Sequence, residues 1–391
     1  MGGATPAFMP PICIMSRARN RVKSGAGRGG ALQVGFVPER DCAPLIYAQE
    51  SGLFDRYELR VDLRRQRRWT DIRDRIICGE LDAAHAPATL PFVTNLGLDS
   101  DECAAVSGLV MSLEGNGILI SRELWADGVR DASALRERIY RDWHRRSYTF
   151  GVACPYSPAY IILRRWLRSG DIAPHIEIAI KVVPPEQVFP MLKLGYLDGY
   201  CGAEPWISLA TEARAGGCVA SSADLARFHP EKVLMVRCDF AEERAPEHER
   251  LIAALIEACH FCEQPENRAL LGELLAPRRY VNAPANCLAG GPVRHCEPSD
   301  ATLPGLANVP SLFHRSNAND PTDDKAAWLL AELYETMDQQ VLKPRTAARA
   351  PVLKNVFRRD IFGRALTAMD RQAQTLREEA DSFETAVKQT A

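Results

Sequence analysis

Two similar segments place residues with chemical potential at the ends of predicted strands. The segment "GELDAAHAP" (79–87) contains His85, and "GYLDGYCGAEPW" (195–206) contains Cys201 at the end of its strand. An imidazole and a thiol facing one cleft are groups that a nucleophilic enzyme uses. Residues at buried strand ends are more often structural, however, and the chain has no GxSxG, P-loop or HExxH motif. We therefore expect a protein without catalytic residues.

The cysteine pattern argues against a metal site. Twelve cysteines are scattered along the chain, and only Cys259 and Cys262 form a CxxC pair. This pair lies in a stretch whose apolar residues have helical spacing, without a second pair or a histidine cluster. We expect no zinc, no other metal and no cofactor, but reduced thiols that fill a core.

The surroundings of the two segments also match. A helical pattern precedes each glycine, with Thr70 placed as the N-cap of the first helix, and a strand precedes each helix. Further strands, "LQVGFVP" and "YTFGVACP", open each half. The order strand–helix–strand–helix–strand thus occurs twice and predicts two α/β lobes with right-handed crossovers. The alternative is that G-x-L-D merely marks the end of a helix, as it often does.

Composition and length limit the alternatives. The 391 residues include 48 basic and 50 acidic side chains, a balance that gives no reason to expect nonspecific binding to nucleic acid or membranes. No apolar run approaches the roughly 20 residues of a membrane-spanning helix. The prolines and late basic run of the first 30 residues do not fit a secretory signal. We expect a disordered tail there, with Met15 as an alternative start, and a cytoplasmic protein.

Strands that cross between the lobes are predicted at "GNGILIS" (115–121) and "EKVLMVRC" (231–238). Between two such lobes lies a cleft, which is a favoured site for small ligands. The predicted organisation is a tail (1–30), lobe 1 (31–118), lobe 2 (119–231), a return to lobe 1 with C-terminal helices (232–375) and a polar helical tail (376–391).

Several longer segments carry a resemblance to a known family. "DCAPLIYAQESGLF", "QRRWTDIRD", "VVPPEQVFPMLKLGYLDGYCGAEPW" and "FHPEKVLMVRCDF" resemble the nitrate- and bicarbonate-binding proteins of ABC transporters and the related cytoplasmic nitrate/nitrite sensors. The resemblance runs from about residue 31 to about residue 370. It implies a type II periplasmic-binding-protein-like fold of two doubly wound α/β lobes that close around a small anion.

The resemblance also implies the ligand site. In that family an indole N–H, side-chain amides, a histidine and a lysine hold the anion between the lobes. Matched by motif, these groups include Trp69, the amide of Asn116 and Lys232, with Glu204 in the "EPW" loop of lobe 2. The helix that begins near Thr70 adds backbone N–H groups. Such donors, with one cation, suit a flat and weakly hydrated oxyanion.

The second lobe departs from the family pattern. The segment "PYSPAYIILRRW" has Ala159 where the family has histidine, and Tyr160 where it has asparagine. Asn116 is itself shorter than the family's glutamine. Hydroxyl donors from Tyr156, Ser157 or Tyr160 would take the place of the histidine, which favours a ligand different from or larger than nitrate.

We expect a cytoplasmic sensor that closes on a nitrate- or nitrite-like anion and signals to a partner. In the related sensors this partner is an RNA-binding antitermination protein. The alternative is the solute-binding component of an ABC transporter for nitrate, bicarbonate or a small organic anion, which works with a permease and requires export. An enzyme similar to the pyrimidine synthases of thiamine biosynthesis is least favoured, because their cysteine-rich signature is missing.

Overall fold

The computed structural model describes residues 30–289, 311–336 and 349–390. Strands in these ranges form two sheets with the orders β11-β4-β10-β3-β1-β2 and β7-β6-β8-β5-β9. We call the first sheet with its helices lobe 1 and the second lobe 2. The strands are β1 (Leu32–Phe36), β2 (Val61–Arg65), β3 (Ala83–Pro87), β4 (Ala105–Glu114), β5 (Asn116–Ser121), β6 (Tyr148–Val152), β7 (Ile178–Val182), β8 (Gly199–Ala203), β9 (Gly216–Ser221), β10 (Pro230–Arg237) and β11 (Ser311–Leu312).

Helices cover both sheets. They are α1 (Ala43–Glu50), α2 (Leu53–Arg56), α3 (Trp69–Ile77), α4 (Leu90–Asn95), α5 (Arg122–Ala126), α6 (Ala132–Arg141), α7 (Pro158–Ser169), α8 (Pro185–Lys193), α9 (Trp206–Glu212), α10 (Ser222–Leu225), α11 (Cys238–Glu243), α12 (Ala245–Glu263), α13 (Arg268–Leu275), α14 (Ala285–Ala289), α15 (Asp323–Thr336) and α16 (Arg359–Thr390), with 3₁₀ turns at Arg40–Cys42 and Pro265–Asn267. Among the described residues, no helix is both long enough and apolar enough to cross a membrane.

The two lobes repeat one arrangement, as the sequence predicts. In lobe 1 the parallel strands β2, β1 and β3 are followed by the antiparallel β10, and in lobe 2 the parallel β7, β6 and β8 are followed by the antiparallel β5. The strands β3 and β8, which lie in the two similar segments 79–87 and 195–206, therefore occupy equivalent positions. Each is buried along its whole length and pairs with a strand that has just crossed from the other lobe.

The chain crosses twice between the two sheets. The strand β4 belongs to lobe 1 and β5 to lobe 2, so the first crossing falls at Gly115. The second falls between β9 and β10, within residues 222–229. The C-terminal helix α16 continues without a break through position 376, the predicted start of the polar tail.

Helix α15 packs on both lobes. Its buried residues Leu329 and Leu333 join an apolar cluster of lobe 1, while Trp328 also contacts the core cluster of lobe 2. Glu332 forms an ion pair with Arg165 of α7. Leu330 and Tyr334 of this helix are partly buried against the lobe 1 cluster. Most of the predicted N-terminal tail lies outside the described residues.

One helix start differs from the prediction. Thr70 is not the N-cap of α3 but its second residue, since the helix begins at Trp69. Arg68 occupies the N-cap position, where its backbone N–H donates to the Asp71 carboxylate at 3.1 Å. The acidic side chain at the third helical position satisfies the backbone here, so the start does not depend on the threonine hydroxyl.

The glycines that end the helices before the repeated strands adopt the left-handed conformation, with φ of 73° at Gly79 and 76° at Gly195. At Gly195 no atom lies within 4 Å of an added Cβ. We predict that Gly195→Ala lowers the free energy of unfolding by about 1–2 kcal/mol, through backbone strain alone. Urea denaturation checks this value.

Gly363 provides the matched control. It lies within α16, and there too no atom is within 4 Å of an added Cβ. Because alanine is favoured in helices, we expect Gly363→Ala to stabilise the protein by up to about 1 kcal/mol. Equal effects of the two substitutions would contradict the assigned backbone conformations.

Candidate functional site

The strand β10 brings a buried lysine to the boundary between the lobes. Lys232 is only 2% exposed. Its Nζ lies 2.6 Å from Asp41 Oδ2, 2.9 Å from Glu231 Oε1 and 3.3 Å from Glu39 Oε2. Burial opposes the charge, but these three carboxylates raise the pKa of Lys232 well above its usual value. We call Glu39, Asp41 and Glu231 the carboxylate cage of this ammonium ion.

An irregularity in the pairing of β10 with β4 lets the neighbouring residues Glu231 and Lys232 contact each other. Adjacent strand residues normally point to opposite faces of a sheet. Here the register of β10 with β4 shifts, because Pro230 pairs with Leu113 while Lys232 pairs with Ser112. Such a shift redirects side chains locally. Glu231 can therefore contact the ammonium of the residue that follows it.

The loop between β1 and α1 supplies the other two carboxylates. It follows the carboxyl end of a parallel strand, where α/β folds commonly place binding residues. Burial, the largest effect, raises the pKa of Glu39 to about 8, although Lys232 opposes the shift. Asp41 also has a second neighbour, since its Oδ1 lies 3.5 Å from Nε2 of His85.

Glu231 is held on its other side by a histidine. His229 Nε2 lies 3.2 Å from Glu231 Oε2, and His229 Nδ1 lies 2.7 Å from the carbonyl oxygen of Ala226. The His229 ring thus lies between this carboxylate and a backbone carbonyl group. Against the effect of burial, Lys232 and His229 lower the pKa of Glu231 to about 2. This carboxylate stays ionised.

Two rings lie beside the ammonium. The centroid of the Trp69 ring is 5.3 Å from Lys232 Nζ, which is within the range of a cation–π interaction. The ring of His85 lies 5.8 Å from that of Trp69. Burial lowers the pKa of His85 to about 4, so its imidazole is neutral at neutral pH.

Residues of lobe 2 approach the cage from the opposite side. Cys154 packs in the same apolar cluster as Trp69, and the Arg40 N–H donates to the carbonyl oxygen of Glu204 at 2.8 Å. The charges of Lys232 and the cage also act on the Cys201 thiol, whose pKa burial raises well above its usual value. The cage therefore lies where the lobes meet, and the nearby cysteine is a thiol rather than a nucleophilic thiolate.

The structure brings together some of the site residues predicted from the sequence. Trp69 and Lys232 are neighbours, and Glu204 belongs to the lobe 2 loop that contacts Arg40. Asn116 is 1% exposed and pairs with Ala203, one residue before Glu204. Its Nδ2 makes no hydrogen bond within the described part of the chain. This amide is a buried donor close to the contact between the lobes.

Two of the predicted hydroxyl donors, Ser157 and Tyr160, already have partners within lobe 2. Ser157 is the N-cap of α7, where its Oγ accepts from the Tyr160 N–H at 3.2 Å and donates to the Cys154 carbonyl at 2.8 Å. The Tyr160 hydroxyl lies 2.8 Å from His175 Nε2. Their contact with a ligand, like that of Thr70 in the first turn of α3, stays a prediction.

Sequence reasoning missed the acidic half of the site. Glu39 and Asp41 lie in "PERD", directly after the first buried strand, and Glu231 precedes the matched lysine in "HPEK". Charged residues that follow a buried parallel strand were the available signal. Within the ranges that the structure describes, no three His, Cys, Asp or Glu side chains are arranged to hold a metal ion.

Removing the lysine should leave the cage without its cation. We predict that Lys232→Met lowers the free energy of unfolding by about 3–5 kcal/mol, the usual effect of breaking a buried ion pair. Asp41→Asn in the same background should recover part of this loss. Lys193→Met, at an exposed position of α8, is the control and should have little effect in chemical denaturation. A Lys232→Met variant as stable as the wild type would contradict the assigned ion pairs.

The sequence and architecture of this chain are similar to those of known proteins. The sequence pattern of the NMT1-like family matches residues 26–276. The bicarbonate transport ATP-binding protein CmpC of Synechococcus elongatus is 34% identical over 336 residues, which are 85% of this chain and 49% of that protein. The chain thus spans about half the length of this relative. The nitrate/nitrite binding protein NrtA of a Nostoc species is 24% identical over 85% of this chain and 75% of its own.

The architecture is found in a solved structure as well. The crystal structure of the periplasmic nitrate-binding protein NrtA from Synechocystis superposes with a TM-score of 0.77 at 23% identity, covering 87% of this chain and 89% of that one. The similarity confirms the expected type II periplasmic-binding-protein-like fold. From its sequence and its two-lobed architecture, the chain belongs to the NMT1-like family.

Proposed function

We propose that this chain is a binding protein for a small oxyanion of the nitrate, nitrite or bicarbonate type. The observation that carries the proposal is the buried Lys232 ammonium beside Trp69, at the place where the two lobes meet. A buried cation with an aromatic face beside it suits a flat anion, because the attraction is stronger away from water.

Lobe 2 supplies the complementary part of the argument. The unpartnered Nδ2 of Asn116 is a buried donor, and such a group costs free energy unless it finds an acceptor. An oxyanion held between Asn116 and Lys232 would contact both lobes. Ligand contacts with both lobes favour the closed arrangement, so occupancy changes the shape of the protein.

We infer that the chain is not an enzyme. The Cys201 thiol near the cage is buried and has a raised pKa, so it does not offer the thiolate that nucleophilic chemistry needs. His85 is fully buried and neutral at neutral pH. The NrtA relatives are nitrate/nitrite binding proteins, which supports this inference.

We propose that a partner protein recognises the closed, ligand-bound conformation. One partner class is an RNA-binding antitermination regulator, as the resemblance to cytoplasmic sensors implies. The second is an ABC permease with its ATPase, which the similarity to the bicarbonate transport ATP-binding protein CmpC favours. Seven of the described cysteines are buried thiols (Cys42, Cys154, Cys201, Cys218, Cys259, Cys262 and Cys287), which supports a reducing, cytoplasmic location.

A screen of anions tests the proposed function. Nitrate, nitrite and bicarbonate are titrated into the protein by calorimetry, with chloride as the control, and thermal unfolding is followed in parallel. We expect at least one oxyanion to bind at a single site. At a concentration one hundred times its Kd it should stabilise the protein by about 2.7 kcal/mol. If none of the three oxyanions has an effect distinct from that of chloride, the proposal is wrong.

A conservative substitution tests the location of the site. Trp69→Phe keeps an aromatic ring in the apolar cluster but removes the indole N–H. Since a hydrogen bond to a charged group contributes about 1.5–3 kcal/mol, affinity should fall about tenfold to a hundredfold. Trp125→Phe changes a buried indole in the core of lobe 2, beside Arg130, and should leave affinity unchanged. Equal affinities of the two variants would place the ligand elsewhere.

A further inference from the structure

The cage leaves Lys232 without a free hydrogen bond for a ligand. An ammonium group has three donors, and three carboxylate oxygens lie within 3.3 Å of Nζ. An anion that binds to Lys232 must therefore take the place of one cage member. The three carboxylates differ in what else holds them, and this difference identifies the one that yields.

Two of the carboxylates have further neighbours. Glu231 contacts the His229 ring at 3.2 Å, and Asp41 makes the shortest contact with Lys232 and lies 3.5 Å from His85. Glu39 makes the longest of the three contacts, since its Oε2 lies 3.3 Å from Lys232 Nζ. Glu39 is thus the carboxylate that Lys232 can release most easily.

Glu39 also lies where the lobes meet. Its neighbour Arg40 donates its N–H to the lobe 2 carbonyl of Glu204, and the charge of Glu39 reaches the thiols of Cys154 and Cys201 in lobe 2. An anion beside Lys232 would be repelled by an ionised Glu39. A neutral carboxyl group at the same place would instead offer an O–H donor.

We propose that the protonation of Glu39 controls anion binding. Its ionised carboxylate competes with the anion for Lys232, and in the complex its carboxyl group is protonated and donates a hydrogen bond. This inference rests on the proposed anion-binding function. Where Glu39 is ionised, above about pH 8, its carboxylate takes up one proton from the solvent for each anion bound, and no other bond changes. Near pH 7, where Glu39 already holds this proton, nitrate binds without further proton uptake.

The other charged groups around Glu39 do not compete for this role. From β10, Lys232 keeps its proton because its pKa is raised, and Glu231 stays ionised because its pKa is lowered to about 2. From β3, His85 has a pKa of about 4. Burial raises the pKa of the Cys154 thiol to about 12. The other titratable groups near Glu39 are Asp41 on the same loop, His229 beside Glu231, and the thiols of Cys42 and Cys201.

The direction of the pH effect follows from linkage. The pKa of Glu39 in the folded protein is about 8, against 4.5 for the free side chain, so near pH 7 the folded chain holds a proton that the unfolded chain has released. Between pH 7 and 8 the folding equilibrium constant should fall by up to about tenfold through this group. His85 contributes little there, because its pKa is lower in both states.

The test uses sodium nitrate, sodium nitrite and sodium bicarbonate with the full-length protein and the variants Glu39→Gln and Glu80→Gln. Glu80 is exposed and lies outside the cage, so it is the matched control. Calorimetry in buffers with different ionisation enthalpies counts the protons taken up. Above pH 8 we expect nitrate or nitrite to bind the wild type and Glu80→Gln with uptake of about one proton, and with affinity falling about tenfold per pH unit.

Glu39→Gln mimics the neutral carboxyl group. It should bind with no proton uptake, with the same affinity at pH 6 and pH 9, and about tenfold more tightly than the wild type at pH 9. Without ligand, its stability should not show the fall between pH 7 and 8. Wild-type binding without proton uptake above pH 8, or the same pH dependence in Glu39→Gln, would overturn the role of Glu39. If none of the three anions binds at any pH, the proposed function itself fails.

Discussion

A single ammonium ion that is almost fully buried sets the main constraint on this structure. An isolated charge in the interior is strongly disfavoured, so Lys232 requires neutralising partners. The protein provides them from separate parts of the chain: the loop after β1 and the irregular start of β10. The lobe 1 sheet must hold these segments side by side for the ion to be stable. The fold and the site are therefore coupled through this charge.

The repeated strand order explains how the ion comes to lie between the lobes. The strands β3 and β8 occupy equivalent positions, and each pairs with a strand that has crossed from the other lobe. Lys232 is near the start of one crossing strand, and Asn116 begins the other. Two symmetrical crossings thus bring a cation and an amide to the same boundary. A ligand there would contact both lobes, which is the physical requirement for closure on binding.

The sequence was informative where local patterns decide the structure. The two similar segments and their surroundings predicted both α/β lobes, and Gly79 and Gly195 follow the helices that precede the repeated strands. It was less informative where distant segments meet. The approach of Glu39 and Asp41 to Lys232 depends on strand order, and that of Glu231 depends on a register shift, neither of which has a local signature. The prediction that Thr70 is an N-cap was wrong, because the helix begins one residue earlier, at Trp69, with the N-cap Arg68 N–H bonded to Asp71.

The central claim is that the caged ammonium is the anion site, and a crystal structure of the complex with nitrate or bicarbonate tests it most directly. We predict an anion oxygen within hydrogen-bonding distance of Lys232 Nζ, with Glu39 Oε2 moved away from the ammonium and the Asp41 and Glu231 contacts retained. An anion bound away from Lys232, with all three carboxylates still on Nζ, would contradict the account.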